Sequence, residues 1–119
     1  MENRAAFRDR RIPNELFGFD DFVLNVQARE LSRGCTLLHT EPQVFDLLVE
    51  LVHKQHRVVE RGELSRFLWC DTVVCNGALD QCIATLRRVL GDSAREERYI
   101  RTIRRRGYRF VGRARLLAE

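Results

Sequence analysis

Three chemistries could be assembled from the side chains of this 119-residue sequence. The first is polyanion binding. Ile100-Arg101-Thr102-Ile103-Arg104-Arg105-Arg106-Gly107-Tyr108-Arg109-Phe110 sets a triple-arginine centre between flanks rich in β-branched and aromatic residues. Such flanks suit short strands, and Gly107 after the arginines predicts a tight turn with positive φ, so the hairpin would carry its charge outward. The second is metal ligation by His53 and His56 in a His-x-x-His spacing. No carboxylate or cysteine stands beside them in sequence, so these histidines are read as helix termination and no metal or cofactor is expected. The third is thiol chemistry at Cys35, Cys70, Cys75 and Cys82. Without a secretory signal the thiols are expected to be reduced, and a redox switch between Cys75 and Cys82 is the lesser reading beside loop or buried thiols without a role.

The charge distribution favours the first chemistry. The net charge is +4, yet Arg87 to Arg115 holds eleven arginines against Asp92, Glu96 and Glu97, or +8, leaving −4 for the remainder. A dipole of this size gives the C-terminal quarter a field that attracts phosphate. No phosphate loop, metal-ligand cluster or nucleophile–base pair suggests an enzyme. No apolar run approaches the roughly 20 residues needed to cross a bilayer, and a cytosolic location is expected.

The elements that must position this charge read in order. Residues 1–15 form a basic leader with no apolar period. From Phe17 come short strands, through Phe19, Phe22, Leu24 and Val26, then Glu30 to Ser32, and Thr36 to Leu38 after an Arg33-Gly34 turn. They predict a small antiparallel sheet. Thr40-Glu41-Pro42-Gln43 has the layout of a helix start, with Thr40 as N-cap, Gln43 bonding back and Pro42 in the first turn. Val44, Leu47, Leu48, Leu51 and Val52 repeat at helical spacing and predict a core helix. A second helix is expected from Arg61 to Trp69, with Leu64, Phe67 and Leu68 inward. A loop follows from Cys70 to Gly77, with Asn76 as the next N-cap.

The third helix is expected from Ala78 to Leu90, stopped by Gly91. At about 100° per residue, Leu79, Ile83, Leu86 and Leu90 point inward. Gln81 and Arg88 then point outward with Ala84 and Thr85 beside them, Arg87 on one flank and Ala78, Cys82 and Val89 on the other. This small polar face could enter a DNA major groove, whose width admits one helix. A small sheet, three helices and a basic-tipped hairpin make an α+β winged helix-turn-helix, spanning residues 16–113 and followed by a tail or linker at 114–119.

The chain from Phe17 to Gly112 also resembles the winged-helix effector domain of OmpR/PhoB response regulators, in the CadC-like branch that carries this domain at the N-terminus. The matching words are Phe19-Asp20-Asp21-Phe22, Thr40-Glu41-Pro42-Gln43-Val44-Phe45-Asp46-Leu47-Leu48, Asp71-Thr72-Val73-Val74, Leu86-Arg87-Arg88-Val89-Leu90-Gly91-Asp92, Ile100-Arg101-Thr102-Ile103 and Arg106-Gly107-Tyr108-Arg109-Phe110. The resemblance implies a bacterial transcriptional regulator that binds double-stranded DNA sequence-specifically, with residues 78–90 as recognition helix in the major groove and 100–111 as wing in the minor groove. Gln81, Cys82 and Thr85 would face bases, flanked by Ala78 and Ala84, and Arg87 or Arg88 would hold phosphate. Thr102 would touch the backbone, Arg104 would enter the minor groove, Arg105 and Arg106 would supply backbone charge, and Trp69 would contact phosphate.

Asp71, Thr72, Val73 and Val74 would face RNA polymerase, and head-to-tail pairs on direct repeats are the implied assembly. The resemblance further implies either a piece of a longer regulator or a signal that arrives without a phosphorylated receiver. Relatives often carry Gly at the position of Arg105, and Arg or His where this chain has Thr85 and Cys82. The expectation is salt-sensitive binding with modest sequence discrimination. The alternative is a protein-interaction module whose wing and third helix dock on an acidic partner.

Overall fold

A computed structural model describes residues 14–70 and 76–118. The expected leader up to residue 13 and the polymerase-facing loop Asp71–Val74 lie outside the described residues. The elements run β1 (Leu16–Phe19), β2 (Phe22–Asn25), β3 (Glu30–Arg33), β4 (Thr36–Leu38), α1 (Pro42–His53), β5 (Val59–Glu60), α2 (Arg61–Trp69), α3 (Asn76–Leu90), β6 (Ile100–Ile103), β7 (Gly107–Phe110) and β8 (Arg115–Ala118). They form two compact units, one holding the residues up to His39 with those from Ala114, the other Thr40–Arg113.

The first unit is a five-stranded antiparallel sheet in the order β4-β3-β2-β1-β8. Its register places Phe17 opposite Leu24 and Leu24 opposite Leu31, so period-two alternation sends all three to one buried face. Phe19 and Phe22 stack at 5.0 Å, and the Arg33 guanidinium lies 4.9 Å above the Phe22 ring. Strand β8 is a departure from expectation, because residues 115–118 fall within the expected tail or linker and instead pair with β1. A Cβ at Gly18 would stand 2.9 Å from Leu117, so the missing side chain lets Leu117 lie across β1.

In the second unit α1 starts one residue later than its capping signature suggests. Pro42 is the first helical residue, Glu41 is the N-cap, and no side-chain cap bond forms. Proline disfavours helical backbone in the residue before it, so the cap falls on Glu41 and Thr40 stands one position too early. The apolar stripe is as expected, with Val44, Leu47, Leu48, Leu51 and Val52 buried. After the helix, Lys54 donates to Glu50 and, at 2.9 Å, to Glu63, which also accepts from Arg57 at 2.7 Å. Arg57 first and Lys54 second hold the Glu63 carboxyl down at about 2.

Helix α2 has the expected bounds and buries Leu64 completely, but Phe67 is 46% exposed. Leu64 and Leu68 lie one turn apart on one narrow stripe, and a nine-residue helix leaves Phe67 at its edge. Helix α3 begins at Asn76, two residues before the expected start, which puts Asn76 inside the helix rather than at its cap. Leu79, Ile83, Leu86 and Leu90 are all at most 2% exposed. Burial of this kind contributes about 1.5–3 kcal/mol per side chain. Gly91 ends the helix with φ 71°, the left-handed conformation glycine adopts freely.

The expected hairpin is present, with Thr102 opposite Tyr108 and Arg101 opposite Arg109. A third strand joins it, since Val59 and Glu60 of β5 pair with Tyr108 and Gly107. The role of Gly107 is therefore corrected. Positive φ falls on Arg105, at 64°, and Gly107 is buried in the strand. A Cβ on Gly107 would stand 2.0 Å from the Val59 carbonyl oxygen, so β5 and β7 approach as closely as they do only because that side chain is missing.

Candidate nucleic-acid interface

The outward face of α3 carries Gln81, Ala84 and Arg88 exposed, with Ala78, Cys82 and Thr85 half-buried beside them. This agrees with the helical projection. Arg87 does not join that face. It is 8% exposed, and its Nη2 donates to the Ile100 carbonyl at 2.9 Å and to the Thr102 hydroxyl at 2.8 Å. On a helical wheel Arg87 lies on a flank, and the flank is where β6 packs. Of the two arginines expected to hold phosphate, Arg88 is the one with a solvent-facing side chain.

Asp92 organises the same joint from the loop after α3. Its carboxylate accepts from the backbone N–H groups of Ser93, Arg98, Tyr99 and Ile100 at 2.7 to 3.1 Å. Burial works against its charge, but these four donors outweigh it and hold the carboxyl below its ordinary range. The loop therefore enters β6 along a fixed path.

A third tie links the hairpin to the front of α3. The Tyr108 hydroxyl donates to Asp80 Oδ1 at 2.6 Å, and Arg61 Nη1 donates to the same oxygen at 2.8 Å and to the Tyr108 oxygen at 3.2 Å. Arg61 first, then Tyr108, lowers the Asp80 carboxyl, while burial followed by Asp80 raises the Tyr108 hydroxyl. The Arg61 backbone N–H also donates to the Arg106 carbonyl at 3.0 Å. One cluster thus joins the start of α2, the second turn of α3 and the wing.

At the tip, Arg104, Arg105 and Arg106 are all exposed, and Arg106 lies 3.5 Å from Glu60. Part of its charge is therefore offset at β5. Thr102 is exposed as well; its oxygen already accepts from Arg87, which leaves its hydroxyl hydrogen for an outside acceptor. Trp69 is half-buried at the end of α2. Burial first, and then Glu41, pushes the Cys82 thiol up, the opposite of what a reactive thiolate needs. Its suggested redox partner Cys75 lies outside the described residues.

Sequence reasoning missed Asp80, Arg61 and Asp92 because their partners are distant in the chain or are backbone amides. The turn-forming word Gly91-Asp92-Ser93 was the available signal, since Asp side chains bond nearby amides in turns.

Residues 36–110 match the family model described as transcriptional regulatory protein, C terminal. The chain belongs to that family. It is 35% identical over 99 residues to the transcriptional regulator HilA of Salmonella typhi and 30% identical over 92 residues to the transcriptional activator CadC of Escherichia coli. These alignments cover 83% and 76% of the chain but 18% of each relative, so the chain spans about a fifth of their length.

The solved DNA-binding domain of E. coli CadC matches with a TM-score of 0.74 at 27% identity, covering 86% of this chain and 96% of that one. The Klebsiella pneumoniae RstA DNA-binding domain, crystallised with the RstA box, matches with a TM-score of 0.71 at 27% identity, covering 82% and 97%. The fold is accordingly the α+β winged helix of the OmpR/PhoB type, and the chain is a domain of transcriptional regulators rather than an enzyme. Among the described residues no helix is long and apolar enough to cross a membrane.

Proposed function

We propose that this family member binds double-stranded DNA, with α3 in the major groove and the wing tip in the adjacent minor groove. The observation that carries the reading is the exposed Gln81–Arg88 face of α3 together with the exposed Arg104–Arg105 tip on elements tied to each other through Arg87, Asp80 and Tyr108. Gln81, Ala84 and Thr85 would lie nearest base edges, with Ala78 and Cys82 behind them. Arg88, Arg105, Arg106, Thr102 and Trp69 would meet phosphates, and Arg104 would enter the minor groove. The RstA domain, crystallised in complex with the RstA box, is similar in fold and 27% identical, which supports DNA as the partner. Regulation of bacterial transcription in the cytoplasm, head-to-tail pairing on direct repeats and contact of Asp71–Val74 with RNA polymerase follow as parts of the proposal.

With one long polar side chain and one arginine on the helix face, base readout would be sparse and phosphate neutralisation would dominate. Affinity for a duplex should therefore fall steeply with salt, by a log–log slope of about −0.9 for each phosphate contact. Fluorescence anisotropy on a labelled duplex from low to moderate salt tests this, and a flat response would reject it. The small, mostly uncharged face of α3 favours one other reading, docking on an acidic protein through the wing. An R104A/R106A variant that keeps full duplex affinity would select that second reading.

A further inference from the structure

Positive charge on the wing is not confined to its tip. At the other end of the hairpin, Arg98, Arg101, Arg109 and Arg113 line a cavity of about 560 Å³ together with Gln55 and Glu97. Four guanidinium groups against one carboxylate give these walls a formal charge of +3. Arg101 stands directly opposite Arg109 in the strand register, so both side chains leave the same face and their like charges oppose one another. By strand alternation that face is turned away from Thr102 and Tyr108, whose side chains bond to α3. The cavity is therefore separate from the surface assigned to DNA.

At Arg101 and Arg109 the internal compensation for this charge is thin. Arg109 Nε donates to the Gln55 carbonyl at 3.0 Å, which fixes the side chain without neutralising it. Arg101 Nε lies 4.0 Å from Glu97 with 54% of its side chain exposed. Glu97 also accepts from the Thr102 N–H at 3.0 Å and lies 3.9 Å from Arg87, so its single charge is shared between Arg101 and Arg87. The volume falls within the roughly 300–1,000 Å³ of small-ligand sites. The walls are charged rather than apolar, and planar guanidinium forks match phosphate oxygens in pairs. A concave wall suits a small anion that can enter it better than the convex ridge of a duplex backbone.

We propose that this cavity at the base of the wing binds a small anion carrying two or more linked phosphate groups, either a condensed inorganic phosphate or a nucleoside polyphosphate. Thermal unfolding of the full chain, without DNA, tests the site at constant ionic strength against orthophosphate, tripolyphosphate and a nucleoside triphosphate. Tripolyphosphate should raise Tm saturably by a few degrees, as a ligand of the folded state must, while orthophosphate should leave it nearly unchanged. The R101Q/R109Q variant should lose the shift. R101Q/R113Q should lose most of it while keeping the Arg109–Gln55 hydrogen bond, which separates lost binding from lost folding. R104Q/R105Q, altered at the tip, should retain it.

A nucleoside triphosphate that outperforms tripolyphosphate would support the site and add recognition of the nucleoside; equal shifts would support recognition of phosphate alone. The proposal is overturned if tripolyphosphate gives no shift, if orthophosphate matches it, or if the tip variant loses the shift while the base variants keep it. Because the assay contains no DNA, its outcome is independent of the DNA-binding reading.

Discussion

The seam between α3 and the wing differs from the outer surface of the same two elements. Along the seam each charge has a specific partner: Arg87 with the Ile100 carbonyl and Thr102, Asp92 with four backbone amides, Asp80 with Arg61 and Tyr108. On the outer surface Arg88, Arg104 and Arg105 face solvent. Both regions draw on arginine, and only geometry separates its two uses. In the seam a guanidinium fixes one element against another; outside it supplies charge to whatever approaches. Arginine density around α3 therefore overstates the number of guanidinium groups left open to solvent.

Substitutions can break this contrast. Asp92→Ala strips the acceptor from four amides and should cost about 3 kcal/mol in urea unfolding. Arg87→Ala should cost about 2 kcal/mol and weaken duplex binding with it, because the wing loses one of its ties to α3. If Arg87→Ala lowered affinity at unchanged stability, the seam assignment would be wrong. Its neighbour sharpens the comparison: Arg88→Ala should leave stability within about 0.5 kcal/mol and reduce the salt slope by about 0.9. Arg104→Ala with Arg105→Ala should behave like Arg88→Ala, with a larger loss of affinity and no loss of Tm.

Tyr108→Phe removes one hydrogen bond to Asp80 and should cost about 1 kcal/mol. The smallest expected effect is on acid titration. Asp80 and Glu63 both have lowered carboxyl pKa values in the fold, so the stability they contribute is present above the ordinary carboxylate range and lost as pH falls through the lowered values, about 2 for Glu63. Asp80→Asn should make the acid limb of the stability curve shallower, whereas Arg104→Ala should not alter it.

Much of this was legible in the sequence where periodicity carried the signal. The bounds of α2, the buried stripe of α1, the inward arc of α3 and the Ile100–Phe110 hairpin all follow from spacing. What escaped was set by distant partners. Two residues of β5 are too few to display alternation, and β8 is defined by pairing with β1 at the other end of the chain. Arg87 looks like a surface cation until β6 is laid against its flank. Gly107 announces a special backbone site, but whether it serves a positive φ or a close approach depends on Val59. Of the candidate contacts, Gln81, Ala84, Arg88 and the tip arginines are outward-facing, as the helical and hairpin geometry implied.

The closeness of Gly107 to Val59 also bears on the order in which this fold assembles. Strands β6 and β7 close over a three-arginine tip, a local event of the kind completed in about 1–10 μs. Strand β5 reaches β7 only across both α2 and α3, and it must arrive at a backbone surface that tolerates no intervening side chain. Hairpin closure should therefore precede sheet completion, with the docking of β5 among the late steps. Mutations at Gly107 should then speed unfolding more than they slow folding.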